Sequence, residues 1–425
     1  MSLAPAGAIL LPMFKRNKVS RTDDQGSAGQ APAIERPLLI IFLVVFVNLL
    51  GFGIIIPLLP FYAEDLGASP AVVGLLFAAY SISQLIAAPI LGDWSDRWGR
   101  RPVLLISLLG TVASFVMLAL ARNIPMLFAA RIIDGLSGGN ISTARAYIAD
   151  VTTEENRARG FGLIGAAFGL GFIFGPAMGG FFGRFGFAMP AWVAAGLALV
   201  AMVLTWLWLP ETTRRTSARR GSPWRELPRV MRDPMLGRLL ALDFLYWGTI
   251  AVYQTTFALF GERRFGFDIA AIGYLLTFVG IIGVIVQVGL VGPAAKRLGE
   301  RKMMILGLAL AGLGLAWAST IYRAPLFVVA LLPSAVGAGL AQPALISLLS
   351  RAVAPEEQGR LQGVSSSLES LGRALGPVWG NGTLGAFGEG VAFGSAALVL
   401  LFLAGLATRL PRFARTAQPD VEAPG

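Results

Sequence analysis

The sequence predicts an all-α integral membrane protein in which twelve transmembrane helices form two pseudo-symmetric six-helix bundles. Three observations lead to this fold class. The 425 residues are 55% hydrophobic and only 14% charged, with 52 Gly and 25 Pro, a balance that water-soluble domains rarely have. Apolar runs recur along the chain, and each is long enough to cross a hydrocarbon core of about 30 Å. Several unusual residues also recur at a fixed spacing, which indicates an internal repeat.

The apolar runs are expected to be helices, because backbone polar groups in lipid find partners only within a helix or a closed barrel. The runs lack the alternation of apolar and polar residues that barrel strands require. We number the expected spans 1 to 12 in chain order: 38–62, 71–91, 102–121, 125–148, 160–183, 188–209, 236–260, 269–292, 302–320, 325–350, 360–384 and 389–409.

Polar segments divide the chain into five regions. Residues 1–36 are expected to form a disordered cytoplasmic tail, and 37–209 the first six-helix bundle. The Arg-rich segment 210–235 is expected to be a cytoplasmic linker to the second bundle, 236–410, which is followed by a cytoplasmic tail, 411–425. This division places about 27 of the 35 Lys and Arg residues in cytoplasmic segments, as the positive-inside rule predicts. The net charge of +11 therefore indicates the topology of a protein in the inner or plasma membrane, not nucleic-acid binding.

The repeat supports the division into two halves. Offsets of 201 and 200 residues each align a block of residues in one half with the same residue types in the other. The matched pairs are Glu155 with Glu356, Arg159 with Arg360, Gly162 with Gly363, Gly175 with Gly376, Pro176 with Pro377, Gly92 with Gly292, Arg97 with Arg297, Gly99 with Gly299 and Arg101 with Arg301. Two coherent blocks indicate a parallel duplication of a six-helix unit.

The residue types that are missing argue against an enzyme. The sequence contains no Cys and no His, so it has no disulfide framework or thiolate metal site and lacks the usual acid–base group at neutral pH. No nucleophile–base pair or metal-ligand cluster is visible in the sequence. We therefore expect no catalytic residues, no metal and no other cofactor.

The loop after span 2 carries the most specific motif, the ten residues from Gly92 to Arg101, GDWSDRWGRR. It resembles the loop signature of the major facilitator superfamily, G-x-x-x-D-R-x-G-R-[KR]. The matching positions are Gly92, Asp96, Arg97, Gly99, Arg100 and Arg101. The resemblance implies a cytoplasmic gating loop in which Asp96 and Arg100 belong to a charge network with Asp150. The alternative is that these are ordinary positive-inside loop charges.

Span 5 contains a face without side chains and a Pro that bends the helix, which permits close helix contact. The residues are Gly171, Gly175, Pro176, Gly179 and Gly180. They resemble the G-x-x-x-G-P-x-x-G-G signature of the drug:proton antiporter branch of the same superfamily. The alternative is Gly-rich packing of the kind found in many membrane proteins.

Span 4 places ionisable groups inside the membrane, where they are costly and normally face partners or water. At 100° per residue, Asp134 and Arg145 lie on one face of a continuous helix, with Arg131 one turn from Asp134. The chain from Arg131 through Gly180 is similar to tetracycline-efflux proteins and their multidrug relatives, and a weaker resemblance covers residues 37–410.

Two positions depart from the tetracycline exporters. Asn48 stands before Gly51-Phe52-Gly53 in span 1, where those exporters carry an Asp. Asn cannot titrate, so neither tetracycline specificity nor the associated cation chemistry carries over to this position. Arg145 stands where those exporters have a small residue.

Span 11 carries Glu369 and Arg373, an i,i+4 pair in the order that favours an ion pair on a helix. Span 5 has no counterpart of this pair, which suggests a function, although the two charges could simply neutralise each other. In the superfamily, spans 1, 4, 7 and 10 line a central cavity. The resemblance therefore implies that Asn48, Arg145, Tyr253, Gln254 and Gln342 contact substrate, although each could instead hold helices together.

The leading hypothesis is a monomeric secondary transporter that exports amphipathic drugs or organic anions by alternating access, coupled to protons. Asp134, Arg131 and Glu369 are the proton-coupling candidates, because coupling needs a carboxylate whose neighbours and access change. Arg145 and Arg373 are candidates for binding an anionic group, since a guanidinium grips a carboxylate with two hydrogen bonds. The alternatives are a lipid or metabolite carrier with the same fold and a non-transporting membrane scaffold or sensor.

Overall fold

The structure is a computed structural model that describes residues 36–138, 140–212, 227–228, 230–354 and 357–410, without the side chains at 154, 155, 157 and 158. Both expected tails and most of the expected linker lie outside these described residues, as do the matched side chains of Glu155 and Glu356. The boundaries of the two halves stay a prediction.

The helices follow the expected spans in order. Ten of the expected spans contain one uninterrupted α-helix each: Arg36–Asp65 (span 1), Pro70–Trp98 (2), Arg100–Ala119 (3), Glu154–Gly183 (5), Ala188–Trp208 (6), Pro234–Phe265 (7), Glu300–Thr320 (9), Ala324–Arg351 (10), Gln358–Phe387 (11) and Glu389–Ala407 (12). Across the described ranges, ten helical segments are long and apolar enough to cross a membrane, and there is no β-strand. Spans 4 and 11 do not meet this hydropathy criterion, because span 4 is interrupted and span 11 is rich in Ser and Gly and carries charged residues. The all-α membrane fold class is confirmed.

Span 4 is not the continuous helix that the sequence predicted. It consists of Ile124–Ser137 and Asn140–Val151, with a turn at Gly138. Side chains from neighbouring spans satisfy the carbonyl groups at this break: Ser107 donates to Ser137 O, and Gln84 Nε2 donates to Gly138 O at 3.0 Å. Such partners are needed because water is not available inside a membrane. Asp134 and Arg145 therefore belong to different helices, and the prediction that they share one face is wrong.

Span 8 is interrupted in a different way. The α-helix Ile269–Ile285 passes into a π-helix, Val286–Leu290, and then into a second α-helix, Val291–Leu298. A π-helix rotates the residues that follow it around the helix axis, so the face that packs on neighbouring spans changes at Val286.

Contacts between the two halves concentrate at one end of the bundle. We call this the outer end, which contains the loop Leu66–Ser69, and we call the opposite end, which contains Gly99, the inner end. At the outer end Arg263 Nη2 of span 7 lies 2.6 Å from Glu64 Oε1 of span 1. Spans 2 and 11 also meet there, because a Cβ built on Gly74 would lie 2.5 Å from Pro377 O.

Spans 5 and 8 show the same asymmetry. Towards the outer end, Thr277 Oγ1 donates to Ile173 O at 3.2 Å, and a Cβ built on Gly273 would lie 2.6 Å from Gly180 Cα. Towards the inner end, a Cβ built on Gly162 or Gly289 would meet no atom of the described residues within 4 Å. The contacts between spans 5 and 8 named here therefore lie towards the outer end, where the halves are closed against each other.

Candidate functional site

An ion pair is buried in the first half, within span 4. Arg131 Nη1 lies 2.6 Å from Asp134 Oδ2, and the two side chains are only 2% and 10% exposed. The Arg131 guanidinium also lies over the ring of Tyr80 in span 2, at 4.4 Å from the ring centre. Arg131 Nε and Nη2 have no hydrogen-bond partner among the described residues. The pair thus holds a carboxylate in the apolar interior with a single cation beside it.

The environment of this pair connects it to the break in span 4. Gln84 Nε2 donates both to Tyr80 Oη, at 3.2 Å, and to Gly138 O, at 3.0 Å. Gly138 N donates in turn to Asp134 O at 2.8 Å. A rearrangement at Asp134 can therefore act on the backbone at the break and on Tyr80.

A second polar centre lies in the other half, between spans 7 and 11. Ser365 Oγ donates to Asp243 Oδ2 at 2.6 Å and lies 3.5 Å from Glu369 Oε1. Arg373 Nη1 is 3.6 Å from Glu369 Oε2, and the Arg373 guanidinium lies 5.0 Å from the ring centre of Trp247. The expected Glu369–Arg373 pair is thus in place, together with a second carboxylate that the sequence did not single out.

Tyr80 belongs to the first centre. Its ring lies against the Arg131 guanidinium, and its hydroxyl accepts a hydrogen bond from Gln84 Nε2 at 3.2 Å. It also contacts Phe52 of span 1, with 5.8 Å between the ring centres. Tyr80 therefore joins span 4 to spans 1 and 2 within the first half.

The remaining substrate-binding candidates occupy different environments. Asn48 is buried, Gln254 and Gln342 are half-buried, and Arg145 is exposed, with no ion pair to any residue that the structure describes. The Tyr253 ring packs into the second half against Phe257 and Phe393, with ring centres 5.3 and 5.9 Å away. The role of these five residues in substrate binding stays a prediction.

The loop at the inner end forms a charge network around Arg100. Arg100 Nε lies 3.0 Å from Asp150 Oδ2, and Nη1 bonds both Asp96 and Ser95. Glu211, which follows span 6, accepts a hydrogen bond from Arg100 N at 2.8 Å. The contact between Arg100 and Asp150 that the resemblance implied is present. Its gating role stays a prediction.

Other positions of the same loop differ in how tightly they are held. Arg97 Nη2 lies 3.4 Å from Asp93 Oδ2 at the surface, and no atom of the described residues lies within 4 Å of a Cβ built on Gly92. Gly99, in contrast, has a φ of +102°, and a Cβ there would lie 2.5 Å from Glu211 Oε2. Gly99 is therefore required both by its backbone conformation and by its neighbour.

The Gly and Pro residues of span 5 pack against two neighbours. Gly171, Gly175 and Gly179 face span 1, where a Cβ on Gly175 would lie 2.7 Å from Gly53 Cα. Gly180 and the carbonyl of Pro176 face Gly273 of span 8. The motif therefore lets span 5 pack tightly within its own half and against the other half.

These networks include Asp243, Glu211 and Tyr80, which were not among the site candidates from sequence. Asp243 was visible as a charge within span 7, which is costly in a membrane, and that signal alone could have identified it. Glu211 and Tyr80 carry no comparable signal, because a loop carboxylate and a membrane tyrosine are both common. Their contacts, to Arg100 and Arg131, appear only once the helices are packed.

A cavity of about 540 Å³ lies at the outer end, where the halves meet. Phe61, Arg184 and Phe187 line it from the first half, and Glu262 and Phe267 from the second. The cavity is separate from both buried centres, because neither the Arg131 pair nor the Glu369 pair contributes to its wall.

A bundle of membrane-spanning helices with an ion pair buried inside it and two halves in contact at one end is typical of a multi-pass membrane transporter. The family model of the Major Facilitator Superfamily matches residues 41–377 and, in a second match, 265–424. The chain therefore belongs to the Major Facilitator Superfamily and is a transporter of small molecules, not an enzyme. The family inferred from the loop and span 5 motifs is confirmed.

Two resistance proteins are similar to the chain over most of their length. The chain is 35% identical over 353 residues to the class E tetracycline resistance protein of Escherichia coli, covering 81% of this chain and 87% of the relative. It is 34% identical over 346 residues to multidrug resistance protein 2 of Bacillus subtilis (strain 168), covering 79% and 86%.

Solved structures share the fold. The crystal structure of the human organic anion transporter MFSD10 (TETRAN) superposes with a TM-score of 0.66 at 25% identity, covering 88% of this chain and 99% of that one. A bacterial homolog of the human lysosomal transporter Spinster, in an inward-facing and occupied conformation, gives a TM-score of 0.74 at 16% identity, covering 88% and 96%. The second likeness concerns the fold alone.

Proposed function

We propose that this transporter exports amphipathic drug-like molecules or organic anions in exchange for protons, by alternating access, across the inner or plasma membrane. The observation that carries the proposal is the buried Arg131–Asp134 ion pair next to the break in span 4. Both termini are cytoplasmic in this proposal, as the distribution of Lys and Arg predicts.

The ion pair has the properties that proton coupling requires. A buried carboxylate that loses its only cation is strongly destabilised, by about 3–5 kcal/mol, unless it takes up a proton. Any movement that separates Arg131 from Asp134 therefore favours binding of a proton at Asp134. Gly138 and Gln84 connect the pair to the break in span 4, so that proton binding and helix movement can influence each other.

The arrangement of the halves fits one step of the cycle. With cytoplasmic termini, the closed outer end faces outward and the inner end faces the cytoplasm. This is the state in which an exporter takes up its substrate. The charge network of Arg100, Asp96 and Asp150 stands at the inner end, where it would brace the halves when that end closes.

The substrate class follows from the relatives and from two cations. The names of the similar proteins refer to tetracycline resistance, multidrug resistance and organic anion transport. Arg145 is exposed without an ionic partner among the described residues, and Arg373 is 27% exposed, with Nη1 3.6 Å from Glu369 Oε2 and Nη2 3.1 Å from Ser370 Oγ. Both guanidinium groups are available to an anionic group of a substrate.

Transport in proteoliposomes tests the proposal. A library of amphipathic dyes and organic anions is screened with an imposed pH gradient, and we expect accumulation that collapses when the gradient is dissipated. Asp134→Asn is expected to transport independently of the gradient. Glu300→Gln is the matched control, because it removes another 2.6 Å ion pair, Glu300–Arg351, away from the site.

Four results would contradict different parts of the proposal. Flux indifferent to the gradient in the wild type, or full coupling in Asp134→Asn, would remove proton coupling at this residue. Net transport in the opposite direction would favour the alternative, a lipid or metabolite carrier that works by import. Unchanged handling of every transported anion in Arg145→Ala and Arg373→Ala would remove the proposed anion site.

A further inference from the structure

We propose that Asp243 and Glu369 bind one proton between them, across the Ser365 hydroxyl, as a second protonation site in the other half of the transporter. The inference extends the proposed function, because it adds a proton site that is independent of Asp134. It also gives Asp243 and Ser365 specific roles, although neither belongs to the motifs that identify the family.

The count of hydrogen atoms at Ser365 is the first argument. A Ser hydroxyl has one hydrogen to donate and can accept through its lone pairs. The 2.6 Å distance to Asp243 Oδ2 is that of a charge-assisted hydrogen bond, so the single hydrogen of Ser365 is used there. Towards Glu369 Oε1, 3.5 Å away, the hydroxyl oxygen can only accept. The second contact can therefore become a hydrogen bond only when Glu369 carries a proton.

The count of charges gives the same result. Asp243 is 1% exposed, and among the described residues the cation that acts on it is Arg373. Two ionised carboxylates beside one guanidinium would leave an uncompensated negative charge inside the membrane, which is costly. One shared proton makes the centre neutral.

No other charged group within the described residues compensates the pair. The titratable groups that face Asp243 are Glu369, Arg373 and Tyr246, and the Tyr246 hydroxyl donates to Ala338 O at 3.3 Å. Spans 1, 2, 8, 10 and 12 also contact span 7, and their Asp, Glu, Lys and Arg residues lie near the helix ends. Electrical neutrality at this centre therefore depends on the shared proton.

Glu369 is the more accessible of the two carboxylates. Its side chain is 22% exposed, whereas Asp243 is enclosed, so a proton can enter at Glu369 and be shared with Asp243 through Ser365. Arg373 contacts Glu369 and the ring of Trp247. An anion that drew Arg373 away from Glu369 would therefore strengthen the binding of the proton.

Infrared difference spectroscopy of the purified full chain, titrated with acid and base alone, tests the inference without any substrate. We expect a carbonyl stretch from one protonated carboxyl group at neutral pH in the wild type. Glu369→Gln and Asp243→Asn are each expected to abolish this band, since either change leaves one carboxylate for one guanidinium. Ser365→Ala should keep the band and shift it to the frequency of a more weakly hydrogen-bonded carboxyl group.

Glu389→Gln is the matched control, because Glu389 is 26% exposed and lies 3.2 Å from an arginine, Arg264, at the outer end. It is expected to leave the band unchanged. Size-exclusion elution and thermal unfolding select the variants that remain folded. If Glu369→Gln or Asp243→Asn does not fold, Ser365→Ala still supplies a test. A band that survives either amide substitution, or that Ser365→Ala leaves at its original frequency, would overturn the shared proton. Neither result bears on Asp134, whose role is tested by transport.

Discussion

Replacing Gly273 of span 8 by Ala is expected to shift this transporter away from the outer-closed state. A Cβ at this position would lie 2.5 Å from Pro176 O and 2.6 Å from Gly180 Cα, both in span 5 of the other half. Atoms in favourable contact are about 3.5–4.0 Å apart, so the two helices would have to separate by about 1 Å. Overpacking of this kind costs about 1–3 kcal/mol. This cost destabilises only the outer-closed state, in which the halves touch at Gly273. The ratio of outer-closed to outer-open molecules should therefore fall by about 5- to 150-fold.

The absence of Cys from the sequence makes spin-label distance measurements direct. Arg122→Cys with Arg323→Cys labels exposed loops of the two halves at the outer end. Arg97→Cys with Arg297→Cys labels exposed positions at the inner end. Gly273→Ala is expected to add a longer distance to the outer pair and a shorter one to the inner pair.

Two glycine variants separate this effect from general destabilisation. Gly175→Ala introduces a similarly tight contact, 2.7 Å from Gly53 Cα, but within one half, so it should lower thermal stability without moving the distances. Gly196→Ala, exposed on span 6, should change neither. Equal distance changes in Gly175→Ala and Gly273→Ala, or none in Gly273→Ala, would refute the reasoning.

Two further predictions concern stability. Arg131→Met leaves Asp134 buried without its cation and is expected to lower the free energy of unfolding by about 3–5 kcal/mol. The double variant Arg131→Met with Asp134→Leu should recover most of this loss. Thermal unfolding in detergent measures both variants, and equal losses in the two would show that the ion pair does not determine stability. Gly99→Ala must adopt a left-handed conformation and displace Glu211, so it should lower the melting temperature. Gly92→Ala, with open space around it, should not lower the melting temperature. Equal melting temperatures of the two variants would contradict this account of the loop.

The helical spans and the family could be predicted from sequence because each follows from local patterns. A bilayer requires about twenty apolar residues per helix, so the spans are visible without knowing how they pack. The loop from Gly92 to Arg101 and the Gly–Pro stretch of span 5 are contiguous, and their spacing alone identifies the superfamily. The ion pairs Arg131–Asp134 and Glu369–Arg373 were also predictable, because residues three or four apart on a helix are neighbours.

Breaks within spans were not predictable in the same way. Gly138 was one glycine among many, and the helix ends there because Ser107 and Gln84, from two other spans, supply donors to its freed carbonyl groups. The prediction that Asp134 and Arg145 share one face assumed a continuous helix, and the break between Ser137 and Asn140 contradicts that assumption.

Sequence by itself determined that this chain is a multi-pass helical transporter, since hydropathy and contiguous motifs depend only on neighbours along the chain. Only the tertiary structure decided that Asp243 meets Glu369 through Ser365, that Glu211 holds the loop at Arg100, and that Tyr80 packs against Arg131. These contacts join residues that are dozens to more than a hundred positions apart. They depend on the rotation and depth of each helix, which the packing of the whole bundle sets.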